Sequence, residues 1–173
     1  MFRTYYDDEL EDKKLDVKPL RNVLYAFVKR NPTIGYCQGI NFITAHLLSY
    51  LSEEEAFWTL CCLIESILPL DYYSGMIGVL VDQKLFAKLI KTVMPSFWNH
   101  LKKLTLDPSL ISLQWFICLF SYNLKNEVTD RIWDHLFLCG SKILFRAGLS
   151  IISLVEKSFL KCKEFCTLTF NLS

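Results

Sequence analysis

Ile34-Gly35-Tyr36-Cys37-Gln38-Gly39-Ile40-Asn41 is a polar stretch between two patterns typical of amphipathic helices. Its two glycines permit backbone angles that other residues avoid, so the turn can push a side chain outward from the start of the following helix. Gln38 gains most from that placement, because a primary amide offers two donors and an acceptor on a short stem. Such a group can orient a water molecule or a partner's backbone, but it cannot attack as a nucleophile. From these residues alone, a plain helix-to-helix turn is an equally good interpretation.

Two helices are predicted to flank this stretch. The first opens at Pro19, closes at Asn31-Pro32, and repeats apolar residues at helical spacing: Leu20, Val23, Leu24, Phe27 and Val28. The second starts beside Gln38 and carries on one face the residues Ile40, Ile43, Leu47 and Leu51. Gln38 is therefore placed at a helix N-terminus, where backbone N–H groups are unpaired and the environment is mildly positive.

Helical signals continue along the rest of the chain. Ser52-Glu53-Glu54-Glu55 is a capping box, since the serine hydroxyl can bond the amide of Glu55 while the Glu55 side chain reaches back. Asp107-Pro108 combines a capping carboxylate with a proline and predicts the start of a central core helix. The predicted helices cover residues 53–68, 81–93, 95–104, 110–122, 127–138 and 141–157. No segment alternates like a half-buried strand for more than a few residues, so the sequence predicts an all-α fold.

Composition limits the classes of function. The 173 residues, 52% of them hydrophobic, fit one domain, or part of a larger one, with a substantial core. The formal net charge is +1 and the basic residues are scattered, so the basic patch that nucleic-acid binding requires is missing. We expect neither DNA nor RNA as a partner. The acidic run 7–12 is interpreted as a solvated loop.

Cysteine and histidine spacing argues against a metal site. His46, His100 and His135 have no metal-ligand spacing to a cysteine or to one another, so we expect no zinc. The longest apolar runs, 56–70 and 110–124, fall short of the roughly 20 residues that a membrane-spanning helix needs, and no secretory signal opens the chain. With no Cys-x-x-Cys pair, the seven cysteines are interpreted as buried free thiols in a reducing compartment: Cys37, Cys61, Cys62, Cys118, Cys139, Cys162 and Cys166.

Several segments together resemble the TBC domain of Rab GTPase-activating proteins. The resemblance extends from Arg3 to about Lys157, and the order and spacing of the segments are similar to those of the family. The most specific match is Tyr-Cys-Gln-Gly-Ile-Asn at 36–41. The full set of matching segments is 30–42, Val-Asp-Gln at 81–83, Asp-Pro-Ser-Leu at 107–110 with Gln-Trp-Phe at 114–116, and Arg-Ile-Trp-Asp at 131–134.

The resemblance implies an all-α, non-repeating TBC-type fold that comprises part of the N-lobe and most of the C-lobe. The domain of the family begins several helices before its catalytic arginine, so this chain resembles a domain truncated at its N-terminus and at its C-terminus. We therefore expect a partial Rab-GAP TBC domain over residues 1–157. Residues 158–173 lose the helical period and are expected to form an irregular tail.

The resemblance also implies that the protein activates a Rab-type small GTPase in trans and so regulates vesicle traffic. The family has a motif Ile-x-x-Asp-x-x-Arg-Thr with a catalytic arginine, and Arg3-Thr4 matches its end, 38 − 3 = 35 positions before Gln38. Arg3 and Gln38 are thus the implied catalytic residues, with Tyr36, Gly39 and Asn41 shaping the turn or binding the partner. GTP and Mg²⁺ would belong to the GTP-bound partner, leaving this protein without a cofactor. It would be cytoplasmic, and the partner would recruit it to endomembranes.

Two alternatives stay open at this stage. One is a catalytically incompetent, TBC-like helical module that binds a small GTPase or another protein without accelerating hydrolysis. The other is a cysteine hydrolase with Cys37 as nucleophile and His46 as base. The second alternative is the weaker one, because the two residues should lie on different faces of one helical segment and nothing orients the histidine.

Overall fold

In the computed structural model of the protein, which describes residues 17–161, the chain is all-α, as predicted. Within these residues there is no β-strand. The α-helices in this range are α1 (Val17–Arg30), α2 (Ile40–Leu48), α3 (Glu53–Cys62), α4 (Ile77–Val93), α5 (Pro95–Lys103), α6 (Ser109–Ile117), α7 (Asn126–Cys139) and α8 (Lys142–Phe159).

The helices pack in two groups. α1, α2 and α3 pack against one another, and α3 runs directly into a π-helical turn, Leu63–Ile67. α4 packs against α5 and α6, while α8 packs against α6 and α7. The π-helical turn also contacts α7, so it connects the two groups. The core contains several fully buried phenylalanines: Phe27, Phe86, Phe97, Phe116 and Phe120.

The helices of the first group follow the sequence signals closely. Ser52 Oγ accepts a hydrogen bond from the Glu55 N–H at 3.5 Å, and Glu55 Oε2 accepts one from the Ser52 N–H at 3.0 Å, which confirms the capping box. α1 begins at Val17, two residues before the predicted start at Pro19, so Pro19 lies within its first turn. A proline is tolerated in a first turn because the N–H it lacks has no helical acceptor there.

α4 begins at Ile77, four residues before the predicted start at Val81. A short 3-10 turn, Ser74–Met76, leads directly into it, so Gly78 lies in the first turn of the helix and not in a loop. A Cβ atom at position 78 would lie 2.6 Å from the Cα atom of Tyr72. Glycine is therefore needed at position 78 for a close approach of two backbones, which sequence spacing alone does not reveal.

α6 ends at Ile117, although its apolar sequence predicted a helix that continues to Tyr122. Leu119 and Phe120 have φ angles of 49° and 68°, which end the right-handed helix. Side chains of α7 satisfy carbonyl groups of these two residues. Trp133 Nε1–H donates to the Leu119 carbonyl at 2.8 Å, and Thr129 Oγ1–H donates to the Phe120 carbonyl at 3.5 Å. The helix is thus ended by tertiary hydrogen bonds.

α8 extends two residues beyond the predicted end at Lys157. Phe159 is buried, with its ring centroid 4.4 Å from that of Phe97 and 5.4 Å from that of His100 on α5. Aromatic packing carries the helix past the point where the apolar period stops. Residues 162–173 lie outside the described residues, so the domain boundary and the tail stay predictions.

The prediction of buried thiols is right for some cysteines and wrong for others. Cys61 and Cys118 are buried, and burial raises the pKa of the Cys118 thiol to about 12. Cys37 is half-buried, whereas Cys62 and Cys139 are exposed. Cys62 follows Cys61 on α3, about 100° further round the helix, and at that position it is exposed. Cys162 and Cys166 lie outside the described residues.

Asp82 is a buried carboxylate on α4, only 8% exposed, and its Oδ2 atom accepts no hydrogen bond from any described residue. Burial raises the pKa of this carboxyl from its ordinary value of 3.8 to about 6. The folded protein therefore binds the proton more tightly than the unfolded chain, and ionisation of Asp82 destabilises the fold. This destabilisation is absent below about pH 4 and complete above about pH 6.

We predict that Asp82→Asn raises the melting temperature at pH 7 by on the order of a few °C and leaves it nearly unchanged at pH 4. The amide keeps the shape of the side chain but carries no charge to desolvate. Thermal melts of both proteins from pH 4 to pH 7.5 measure the difference, with Asp134→Asn on the exposed side of α7 as the control. A melting-temperature difference that does not change with pH would contradict this account.

Candidate functional site

The turn between α1 and α2 presents Gln38 to solvent. The Asn31 carbonyl accepts hydrogen bonds from the N–H groups of Ile34 at 3.1 Å and Gly35 at 2.9 Å, and Gly35 has a φ of 63° that favours glycine. Gln38 is exposed and directly precedes Gly39, the residue that caps the N-terminus of α2. The amide is thus displayed at a helix N-terminus, as the sequence predicts.

Gly39 anchors the second half of the turn to α6. Its φ is 115°, and its N–H donates to the Asn41 Oδ1 atom at 3.0 Å. A Cβ atom at position 39 would lie 2.3 Å from Ile117 Cγ2 and 2.9 Å from the Ile117 carbonyl oxygen. Only glycine fits this contact. The buried Asn41 side chain thus accepts a hydrogen bond from the Gly39 N–H, which has no helical acceptor.

Two neighbouring tyrosines fix the part of α6 that Gly39 touches. Tyr73 donates its hydroxyl hydrogen to the Ile117 carbonyl at 2.8 Å, and Tyr72 donates to the Phe116 carbonyl at 3.2 Å. These carbonyls belong to the last turn of α6, where helical partners run out. Burial raises the pKa of both phenols well above the ordinary range, so they stay protonated donors. Sequence reasoning missed them, since no motif marks two tyrosines in a loop.

Glu65 anchors the first half of the turn. Its carboxylate accepts two hydrogen bonds from the Arg30 guanidinium, at 2.8 Å from Nε and 3.0 Å from Nη2, and one from Asn31 Nδ2 at 2.9 Å. The hydrogen bonds from Arg30 and Asn31 lower the pKa of Glu65 to about 2. Glu65 lies on the π-helical turn, which aims it at the end of α1. In the sequence it is only a lone carboxylate within an apolar run, which is the one signal that could have found it.

Cys37 and Tyr36 line the turn beside Gln38. Cys37 Sγ lies 3.2 Å from Met76 Sδ, and burial raises the pKa of its thiol. Tyr36 is 46% exposed, and the desolvation of its buried part raises its pKa. Tyr36, Gln38 and Gly39 are therefore neighbours on one short turn, with Asn41 beneath it.

His46 lies against α7. The cysteine-hydrolase alternative instead requires it to act as the base for Cys37. Its Nε2 atom lies 2.9 Å from Asp130 Oδ1, and its ring packs 4.7 Å from that of Trp133. Burial lowers the His46 pKa, and the charge of Asp130 opposes that shift. Cys37 packs on Met76, and its raised pKa favours the inert thiol. These contacts give the cysteine-hydrolase alternative no support.

The remaining predicted site residue, Arg3, lies outside the described residues. Between residues 17 and 161 no three His, Cys, Asp or Glu side chains gather in a way that could hold a metal ion. Over the same range, no helix has both the length and the apolar character needed to cross a membrane.

Comparison with known proteins places these features in a family. A family model described as the Rab-GTPase-TBC domain matches residues 1–160. The chain is 38% identical over 149 residues to human TBC1 domain family member 2B. This match covers 86% of this chain and 16% of that protein. It is 40% identical over 168 residues to growth hormone-regulated TBC protein 1 of Xenopus tropicalis, which covers 94% of this chain and 49% of that protein.

Solved structures agree with the sequence comparisons. The crystal structure of the Chlamydomonas flagellar RabGAP TBC domain has a TM-score of 0.84 and 32% identity, over 95% of this chain and 55% of that one. The Ypt/Rab-GAP domain of Gyp1p has a TM-score of 0.77 at 22% identity, over 88% and 57%, and shares the fold. The chain thus spans about half of each solved domain and a smaller share of the longer relatives.

We predict that Gly39→Ala destabilises the protein by on the order of 2 kcal/mol or more, because the new methyl group would meet Ile117 while the backbone holds a positive φ. Gly35→Ala is the matched control, since Gly35 has a positive φ in the same turn but no atom within 4 Å of the added methyl group. Urea unfolding of both variants compares a glycine with a φ of 115° that also contacts Ile117 with one that has a φ of 63° and open space around it. Equal losses of unfolding free energy would show that the contact with Ile117 is unimportant.

Proposed function

The chain belongs to the Rab-GTPase-TBC domain family, and we propose that it stimulates GTP hydrolysis by a Rab-type small GTPase, supplying Gln38 and Arg3 to the active site of its partner. The observation that carries this proposal is the exposed Gln38 amide on a turn fixed at one end by Glu65 and at the other by Ile117. A turn held in this way keeps the backbone of Gln38 at a constant position.

A small GTPase hydrolyses GTP slowly for two physical reasons. Its attacking water is poorly oriented, and the charge that develops on the transferring phosphoryl group is incompletely neutralised. The Gln38 carboxamide addresses the first defect, because it can accept a hydrogen bond from the water and donate one to a phosphate oxygen. It remains neutral, so its effect is one of position and not of charge.

Arg3 addresses the second defect. A guanidinium stays charged at any physiological pH and presents a planar set of donors that fits phosphate oxygens. An arginine supplied in trans is worth roughly 10³ to 10⁵ in rate in other GTPases. In this proposal the guanidinium meets the γ-phosphate oxygens while Gln38 holds the water on the opposite side. The family resemblance of Arg3-Thr4, 35 positions before Gln38, supports this assignment.

The partner brings the nucleotide. We propose that GTP and Mg²⁺ are bound by the GTP-loaded Rab, so that this chain contributes side chains to a site it does not itself contain. Its place in the cell would then follow that of the partner, which we expect on the cytoplasmic face of endomembranes, where hydrolysis ends a round of vesicle traffic.

We predict that Gln38→Ala lowers stimulated GTP hydrolysis by a factor on the order of 10² or more and leaves partner binding within about twofold, as expected for a group that acts in the transition state. Thr33→Ala, an exposed change in the same turn, should keep full stimulation. Single-turnover phosphate release against a panel of GTP-loaded Rabs measures both. Full stimulation by folded Gln38→Ala would remove the glutamine from the mechanism.

Arg3→Lys separates an activator from a module that only binds. If Arg3 acts as proposed, the lysine variant loses stimulation by about 10² or more while its affinity for the GTP-loaded partner changes little, since lysine keeps the charge but not the planar donors. Phosphate release and binding are measured side by side on the full chain. Binding to a Rab without stimulation by the wild-type protein would establish the binding-module alternative instead.

A further inference from the structure

The outer face of α4 is unusually apolar for a surface helix. Val79, Gln83, Phe86 and Ile90 face the core, and the opposite side of the helix carries residues spaced three or four apart. Three of them are large aliphatic side chains that are more than half exposed: Ile77 at 58%, Leu80 at 54% and Val81 at 57%. Leu85 follows on the same side and is also exposed. An exposed apolar patch of this kind is available to pack against another surface.

The rest of this face is basic. Three exposed lysines lie on the same side of α4 as the exposed aliphatic residues, each about one helical turn from the next: Lys84, Lys88 and Lys91. The carboxylate of α4, Asp82, is buried on the opposite side, so no acidic side chain of the helix offsets these charges. The outer face therefore offers apolar contact at its N-terminal end and positive charge towards its C-terminal end.

This face begins at the Gln38 turn. Met76, the residue directly before α4, lies with its sulfur 3.2 Å from the sulfur of Cys37. α6, which packs beside α4, ends at the same turn, because Gly39 sits against Ile117. α6 also carries exposed leucines on its outer side, Leu110 and Leu113. The N-terminal end of α4 and the C-terminal end of α6 thus both lie beside the turn that displays Gln38.

We propose that the outer face of α4, from Ile77 to Lys88, is a docking surface for the GTPase partner. The proposal rests on the proposed function. The matching surface on the GTPase would be an apolar patch flanked by carboxylates, with the apolar part nearest the nucleotide. Contact with this face fixes the angle at which Gln38 enters the partner's site and contributes to the choice among GTPases.

Position decides between a protein and a lipid surface as the occupant. Basic residues interspersed with aliphatic ones also suit an anionic membrane. A protein that receives the Gln38 amide, however, also approaches the start of α4, because Cys37, the residue before Gln38, contacts Met76, the residue before Ile77. A membrane lying on this face would occupy the same space, so the apolar end of the face belongs with the GTPase.

The test compares two variants of α4 with two controls. Leu80→Glu and Lys88→Glu change the apolar and basic parts of the face, and Leu154→Glu and Lys157→Glu make the same changes at exposed positions of α8. Stimulated hydrolysis of a responsive Rab is measured against Rab concentration, with binding to the Rab loaded with a non-hydrolysable GTP analogue measured separately. Thermal melts establish that each variant folds.

We expect both α4 variants to raise KM and Kd on the order of tenfold or more with kcat within about twofold, while the α8 variants match the wild type. The Lys88→Glu defect should shrink as salt rises, because screening weakens the wild-type attraction. Unchanged KM and Kd in both folded α4 variants would overturn the proposal.

Other outcomes are also decisive. Loss of kcat with unchanged KM would assign α4 to the chemistry and contradict a docking role. Loss of binding to phosphatidylserine vesicles with normal Rab binding would assign the face to a membrane and likewise overturn it. If the wild type stimulates no Rab, the proposed function fails, yet a Kd for a Rab that the α4 variants weaken and the α8 variants do not would still support the docking surface.

Discussion

The close contact between Gly39 and the last turn of α6 is the constraint on which the site depends. The Gly39 backbone packs directly against the Ile117 carbonyl, and that carbonyl accepts a hydrogen bond from the Tyr73 hydroxyl. Three segments that are distant in sequence are thereby fixed to one another: the turn before α2, the loop before α4 and the end of α6. Because protein interiors resist compression, the position of the Gln38 backbone follows from this packing.

The other end of the turn is held by charge. The Arg30 guanidinium and the Asn31 amide both donate to Glu65, whose pKa of about 2 keeps it ionised throughout the physiological range. Arg30 is also 5.4 Å from the ring of Trp58. The pair is partly exposed, so its net contribution to global stability is modest. Its importance is geometric, since bidentate pairing fixes the end of α1 relative to α3 and leaves only the middle of the turn free to face solvent.

Local periodicity predicted the helices that pack with one apolar side, such as α1 and α7, because their pattern reports burial directly. It failed at the start of α4, where Gly78 packs against the Tyr72 backbone, and at the end of α6, where the Leu119 carbonyl accepts a hydrogen bond from Trp133, 14 positions along the chain. The Gln38 turn could be recognised from its own residues. Glu65 and the tyrosines that hold the turn could not, because a hydrogen bond across 34 or 44 positions leaves no local signal.

Under the proposed function, a fixed turn would separate two tasks that a GTPase activator has to perform. The rate depends on placing one amide within a fraction of an ångström of its working position. Because the backbone is preorganised, only the glutamine side chain loses conformational entropy when the amide binds the water. Recognition depends on area, which a single glutamine cannot supply. The apolar and basic face of α4 starts beside the turn, where Met76 contacts Cys37, so further contact area is available near the amide without movement of the turn. If α4 is the docking surface, selectivity could change through its residues while the geometry at Gln38 stays the same.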